Sequence, residues 1–154
     1  MATFFCDSSA IVKRYIAETG SAWLAASTNP AGGNYVYVAR ITFVEVISAV
    51  TRREKGNHIS TNDADNARLT FEQDYLNEFL KVEISENLIN EAANLARKYA
   101  LRGYDAIQLA AVLETERERV ALGLSSLVLL SADMDLNMAA TSEGLTVDNP
   151  NNHP

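Results

Sequence analysis

Short apolar runs alternate along this chain with longer segments in which apolar residues recur every three or four positions. This is the pattern of strands alternating with helices. Phe4 to Cys6 is the first run. Ile11, Val12, Tyr15 and Ile16 follow at helical spacing, and Ser8 or Ser9 is placed to cap a helix from about Ser9 to Glu18. Gly20 ends it, and Ser21 caps a short helix from Ala22 to Ser27 carrying the only tryptophan, Trp23. Asn29 to Asn34 is a loop by composition, and the Val- and Tyr-rich Tyr35 to Ala39 reads as a second strand. The next helix is expected over Thr42–Lys55, before Gly56, with Val44, Ile47, Ser48, Val50 and Thr51 on its buried side. Arg52, Arg53, Glu54 and Lys55 form its solvated last turn, basic where a helix C-terminus favours it. From Ser60 or Thr61 a long amphipathic helix runs to about Leu80. Its apolar contacts are Leu69, Phe71, Leu76, Phe79 and Leu80, and its acidic face carries Asp63, Asp65, Glu72, Asp74 and Glu78.

In the second half, Val82 to Ile84 is a strand or a connector, and Ser85 caps a helix from Glu86 to about Leu101. Gly103 breaks it, and another helix runs from about Tyr104 to Arg119, its Ala106, Ala110 and Ala111 allowing close packing on a sheet. Leu127 to Leu130 is a continuous apolar run, as expected of a central parallel strand. A helix from Leu136 to Glu143, ended by Gly144, and a short strand over Leu145–Val147 complete the pattern. The expectation is an α/β fold with a mainly parallel sheet. It forms one domain over residues 1–149, followed by a loose tail from residue 150 to Pro154.

Composition changes this picture little. An apolar content of 47% and a charged content of 21% suit a soluble domain of 154 residues with its own core. There is no bilayer-length apolar run and no signal-peptide pattern, and the single cysteine, Cys6, reads as a buried thiol, so a cytoplasmic location is expected. The net charge of −7 argues against bulk electrostatic binding of nucleic acid, but not against recruiting phosphate through a metal ion. Basic residues cluster at Lys13-Arg14, Arg52-Arg53-Lys55, Arg97-Lys98 and Arg117/Arg119, and none follows Arg119.

The candidate chemistry lies in four carboxylates placed where strands end or helices begin: Asp7, Glu45, Asp105 and Asp133. Right-handed crossovers between parallel strands bring all strand C-termini to one edge, so these acids are expected to converge there. Each has a local explanation as well. Asp7, Asp105 and Asp133 suit helix starts, and Thr42 with Glu45 matches the capping-box spacing. Four acids in one cavity need protons or a cation to coexist, and Mg²⁺ or Mn²⁺ suits such oxygen donors. His58 and His153 offer no rival zinc or nucleophile site, and no Gly-rich phosphate loop is present.

Asp7-Ser8-Ser9-Ala10, Thr42 with Glu45, Arg102-Gly103-Tyr104-Asp105-Ala106-Ile107-Gln108-Leu109-Ala110 and Leu130-Ser131-Ala132-Asp133 together resemble the PIN domain, and within it the VapC-like toxins of bacterial toxin–antitoxin systems. The resemblance implies a five-stranded parallel sheet with helices on both faces and Mg²⁺- or Mn²⁺-dependent ribonuclease activity. It also implies a homodimer and a small antitoxin that wraps the enzyme and blocks its acidic pocket. The acidic quartet carries over to Asp7, Glu45, Asp105 and Asp133, with Asp7, Asp105 and Asp133 toward the metal and Glu45 orienting the attacking water or completing the metal's shell. Ser9 and Ser131 orient the carboxylates; Ser131 stands where threonine is commoner, and Asp135 competes with Asp133 for the fourth place. Arg14, Arg52, Arg53 and Arg102 are candidates to guide an RNA backbone.

Two other readings are weighed. An aspartyl-phosphate mechanism needs a late lysine, which the chain lacks. A catalytically silent PIN-like module binding RNA or protein would have no use for an intact acidic quartet.

Overall fold

The computed structural model describes residues 1–154. Five short strands form one parallel sheet: β1 (Thr3–Cys6), β2 (Tyr35–Ala39), β3 (Leu80–Val82), β4 (Val128–Leu130) and β5 (Thr146–Asp148). Their order across the sheet is β3-β2-β1-β4-β5. In the central register Phe5 lies opposite Tyr37 on one side and Leu129 on the other. Seven helices connect and cover the strands: α1 (Ser8–Ile11, continued as a 3₁₀ turn over Val12–Arg14), α2 (Ser21–Ser27), α3 (Thr42–Lys55), α4 (Thr61–Asn77), α5 (Glu86–Tyr99), α6 (Gly103–Ala121) and α7 (Met134–Ser142). No helix is long and apolar enough to cross a membrane.

Strand periodicity of two sorts the core into a cluster on each face of the sheet. Phe5, Ala39 and Leu129 face one cluster, with Leu88 of α5, Leu109 of α6 and Leu136 of α7. Cys6, Val38 and Leu130, their sequence neighbours, face the other, with Ile11, Val46 of α3 and Phe71 of α4. Burial on both faces is why the β4 sequence reads as an unbroken apolar run.

Several expected details differ. The first helix is broken into one α turn and one 3₁₀ turn and stops at Arg14, whose guanidinium reaches Glu78 and Asp74 of the segment ending α4. Those two acids, with Asp65 paired to Arg68, leave the expected solvated face of α4 partly neutralised. Val44, Leu69, Leu76 and Leu80 are exposed, since the buried stripe of α3 runs through Thr42, Val46 and Val50, and that of α4 through Ala64, Ala67, Phe71 and Tyr75. β3 starts at Leu80, earlier than expected, and β5 is shifted one residue later, to end at Asp148.

The tail is not loose. Pro150–Asn152 forms a 3₁₀ turn, and the His153 ring stacks on Trp23 with centroids 3.9 Å apart and planes within 5°. His153 Nε2 also lies 2.8 Å from Asp148 Oδ1. Gly20 makes this docking possible: its φ is +84°, and a Cβ there would meet the Pro150 carbonyl oxygen at 2.1 Å. Gly20 thus opens α2 beneath the tail and does more than end the helix before it.

Candidate active site

The strand order places β4 beside β1, so the direction in which the chain winds across the sheet reverses between them. The C-terminal edge at such a switch point is where ligands bind in parallel sheets. Asp7 follows β1 there, and Ser131 to Asp133 follow β4. The two segments are stitched together. Ser9 Oγ donates to both oxygens of the Asp7 carboxylate at 2.8 Å and accepts from the Ala132 amide at 2.9 Å. Ser131 Oγ donates to Asp7 Oδ2 at 3.0 Å and accepts from the Asp133 amide at 3.1 Å.

Asp7 itself caps α1: its Oδ1 accepts from the Ala10 amide at 2.9 Å, a role expected of Ser8 or Ser9. It is only 3% exposed. Burial pushes its carboxyl up to about 7, against the lowering effect of hydrogen bonds from Ser9, Ala10 and Ser131; the charge of Glu45 adds to the rise. A carboxylate this deep, needing three donors to sit there and still protonating near neutrality, is costly for a cap alone.

Glu45 projects from the first turn of α3, but the capping box does not form. Ile41, not Thr42, precedes the helix, and it makes no side-chain cap. Both Glu45 oxygens are engaged across the fold: Oε2 accepts from Ser8 Oγ at 3.0 Å and Oε1 from Gln108 Nε2 at 2.8 Å. The second Gln108 hydrogen goes to Thr42 Oγ1 at 2.9 Å and satisfies that hydroxyl, which is fully buried inside the helix. Burial raises the Glu45 carboxyl above its ordinary range, and Gln108 and Ser8 oppose that rise.

Asp105 lies in the first turn of α6, after Arg102, which makes no side-chain cap. Asp105 is half-buried. Burial, then the charges of Asp133 and Glu45, push it up to about 6; Arg102 pulls the other way, and Asp135 adds a smaller rise. Asp133 caps α7 through the Leu136 amide at 2.9 Å, and Asp135 sits exposed in the same helix's first turn. The four acids therefore share one sheet edge and feel one another, Asp7 through Glu45, and Asp105 through Glu45, Asp133 and Asp135.

They do not form a ready-made cage: no group of three or more Asp, Glu, His or Cys side chains stands close enough together to hold a metal ion. The donor set still fits a hard divalent cation. It is all oxygen, and two of its carboxylates are held toward the protonated form by burial and mutual repulsion, the condition a cation relieves. Beside the acids runs a cleft of about 570 Å³, lined on one wall by Ser8, Ser9, Val12 and Lys13 and on the other by Val44, Glu45, Ser48, Ala49, Arg52 and Arg53, with Glu18, Tyr104 and Ala132 closing it. Glu45 faces this cleft directly. Asp7 lies beneath Ser9, and Asp105 and Asp133 flank the lining residues Tyr104 and Ala132 in sequence.

Ser8 and Gln108 also belong to the site, though the motifs of the sequence give neither a role there. Gln108 was open to detection: it follows Asp105 by three residues on one helix face and is a polar residue entering the apolar run Leu109-Ala110-Ala111. It is 1% exposed and its Oε1 has no partner. The contact of Ser8 with Glu45, across 37 positions, has no local signature.

This fold and acidic edge define a class, and the chain belongs to the PIN domain family, whose model matches residues 4–139. Its relatives are of the VapC kind. It is 29% identical over 147 residues to ribonuclease VapC45 of Mycobacterium tuberculosis (strain CDC 1551 / Oshkosh), covering 96% of this chain and 95% of that one. Among solved structures, FitAcB from Neisseria gonorrhoeae superposes with a TM-score of 0.61 at 18% identity, covering 96% of this chain and 97% of the other. VapC20 of Mycobacterium tuberculosis, described as a sarcin-ricin loop cleaving toxin, gives a TM-score of 0.60 at 15% identity, covering 88% and 94%.

Proposed function

We propose that this protein is a divalent-metal-dependent endoribonuclease, the toxin of a toxin–antitoxin pair. The reading is supported by the placement of Asp7, Glu45, Asp105 and Asp133 at strand ends and helix starts along the switch-point edge of a PIN fold, with Ser9 and Ser131 both donating to the deepest acid. Asp7, Asp105 and Asp133 are the residues that would hold Mg²⁺ or Mn²⁺. When bound, such a cation would supply neutralisation of phosphate charge and a lowered pKa for water. Glu45, fixed from two sides by Ser8 and Gln108, lines the cleft, where it would orient an attacking water. Ser9 and Ser131 keep Asp7 from rotating, and their ties to Ala132 and Asp133 hold the β1 and β4 ends in one geometry.

The remaining parts of the reading follow from the kinship with VapC ribonucleases. RNA is the substrate, the site of action is the cytoplasm, and the partners are a second copy of the chain and a cognate antitoxin that covers the acidic edge. Exposed apolar side chains suit such partners, among them Met134 and Met138, one turn apart on α7 beside Asp133.

The test is cleavage of a mixed RNA pool by the purified chain, free of antitoxin, in Mg²⁺, in Mn²⁺ and in chelator, with Asp105→Asn alongside. Cleavage that requires metal and disappears in a folded Asp105→Asn protein is expected. Metal-independent cleavage, or full activity in the variant, would overturn the assignment.

A further inference from the structure

The cleft beside Glu45 has a polarity of its own. On α3, Glu45, Ser48, Ala49 and Arg52 recur every three to four residues and so share one face, and all line the cleft. Ser8, Ser9, Val12 and Lys13 repeat that spacing on the opposite wall. The acidic end is at Glu45, where Tyr104 and Ala132 bring Asp105 and Asp133 near. The basic end, at Arg52, lies two helical turns away, about 10 Å along α3.

The four arginines that the sequence offered for RNA are not equivalent. Arg14 is spent on Glu78, at 2.8 Å, and Asp74, at 3.5 Å. Arg53 and the buried Lys13 share the Glu18 carboxylate, leaving that trio one positive charge in excess. Arg52 is exposed, lines the cleft and has no acidic partner. Arg102 is exposed too, but it lies outside the cleft lining. In a chain of net charge −7, the cleft carries Lys13, Arg52 and Arg53 against Glu18 and Glu45, a local excess of one positive charge. Tyr104 completes the set. It is 61% exposed, directly precedes Asp105 and stands in the cleft lining with no hydrogen bond to its hydroxyl, an open aromatic face beside the acids.

We propose that Arg52 receives a backbone phosphate on one side of the scissile bond and that Tyr104 stacks a base beside it, so that these two side chains position the RNA in the cleft. This deepens the ribonuclease reading and rests on it. The combination is that of a single-strand platform, in which cations track the backbone and an aromatic ring accepts any base. Because the cleft offers only about two unpaired positive charges, Arg52 and the excess on the Lys13–Glu18–Arg53 trio, binding falls with salt by a log–log slope of about −1.4.

The test uses a fluorescein-labelled single-stranded RNA ten-mer of mixed sequence. Binding is followed by anisotropy in chelator, on the Asp105→Asn protein so that the probe stays intact. Arg52→Ala should weaken binding and bring the salt slope closer to zero by about 0.7. Tyr104→Ala should weaken it about ten-fold, with Tyr104→Phe restoring it, since the ring and not the hydroxyl makes the contact. Arg97→Ala, on the exposed side of α5, should change nothing. Arg52, Tyr104 and Arg97 are all exposed, so their variants keep the fold of the Asp105→Asn parent. Unchanged affinity and slope in both the Arg52 and Tyr104 variants, with metal-dependent cleavage still present in the parent enzyme, would overturn the proposal and leave the ribonuclease reading intact. A parent that neither binds nor cuts RNA would overturn both.

Discussion

Replacing Asp7 by asparagine should change how stability depends on pH more than it changes stability itself. In the folded protein the carboxyl rises from its ordinary 3.8 to about 7, so between these values the folded state holds a proton that the unfolded chain has released. Stability from this group is therefore fully present below about pH 4, is lost as pH rises, and is gone above about pH 7. Three units correspond to about 4 kcal/mol, undiminished by solvent because the side chain is 3% exposed. Asparagine removes that slope. Its Oδ1 still accepts from Ser9 and the Ala10 amide, but its NH₂ faces the Ser131 hydroxyl that donated to Oδ2, at a cost of about 1 kcal/mol. The Asp7→Asn protein should thus be about 1 kcal/mol less stable than wild type at pH 4 and about 3 kcal/mol more stable at pH 8. Asp105 titrates in both proteins and largely cancels in the difference. Urea unfolding in chelator at pH 4, 6 and 8 reads this directly. Parallel pH profiles for the two proteins would refute the claim that Asp7 is buried at a cost that only its function explains.

Four further outcomes follow from the same geometry. Gln108→Leu strands Glu45 Oε1 and Thr42 Oγ1, and should cost about 2 kcal/mol of stability while lowering the cleavage kcat more than it changes KM, in steady-state assays. Arg14→Ala should lower the urea midpoint through loss of its ties to Asp74, Glu78 and the Thr28 carbonyl, yet leave cleavage per folded molecule unchanged. Deleting residues 149–154 should remove the Trp23–His153 stack, destabilise the protein by about 1 to 2 kcal/mol in thermal melts and change Trp23 fluorescence. Gly20→Ala should be at least as damaging in the same melts, because it combines a positive φ with a clash against Pro150.

The fold was legible because each central strand is a short apolar run, and each helix is bounded by a cap or a glycine that the sequence displays. Ser60 and Ser85 cap as expected. The positions of the acids were legible for the same reason: following a strand or opening a helix is a local property, and the strand order sets which sheet edge those positions share. Long-range partnership was not legible. Thr42 and Glu45 satisfy the capping-box spacing, yet a glutamine 63 positions beyond Glu45 and a serine 37 positions before it claim the carboxylate instead. The tail misled for a related reason. Asn149-Pro150-Asn151-Asn152 has loop composition, and only the open space over Gly20 and the face of Trp23 turn it into a docked element. Val44 misled in the opposite sense: an apolar residue at helical spacing proved to be 58% exposed, in the wall of the cleft.

The central claim, that the acids of the β1–β4 edge jointly hold a divalent cation, is most directly tested by titrating Mn²⁺ into the antitoxin-free protein by calorimetry at about pH 6, near the Asp105 value. Buffers of different ionisation enthalpy would be used, with Asp7→Asn and Asp105→Asn alongside. The account predicts binding accompanied by proton release, because Asp7 and Asp105 are held up at about 7 and about 6 and must ionise to serve as ligands. It predicts that each variant weakens binding and releases fewer protons. Binding without proton release, or binding that both variants leave unchanged, would contradict it.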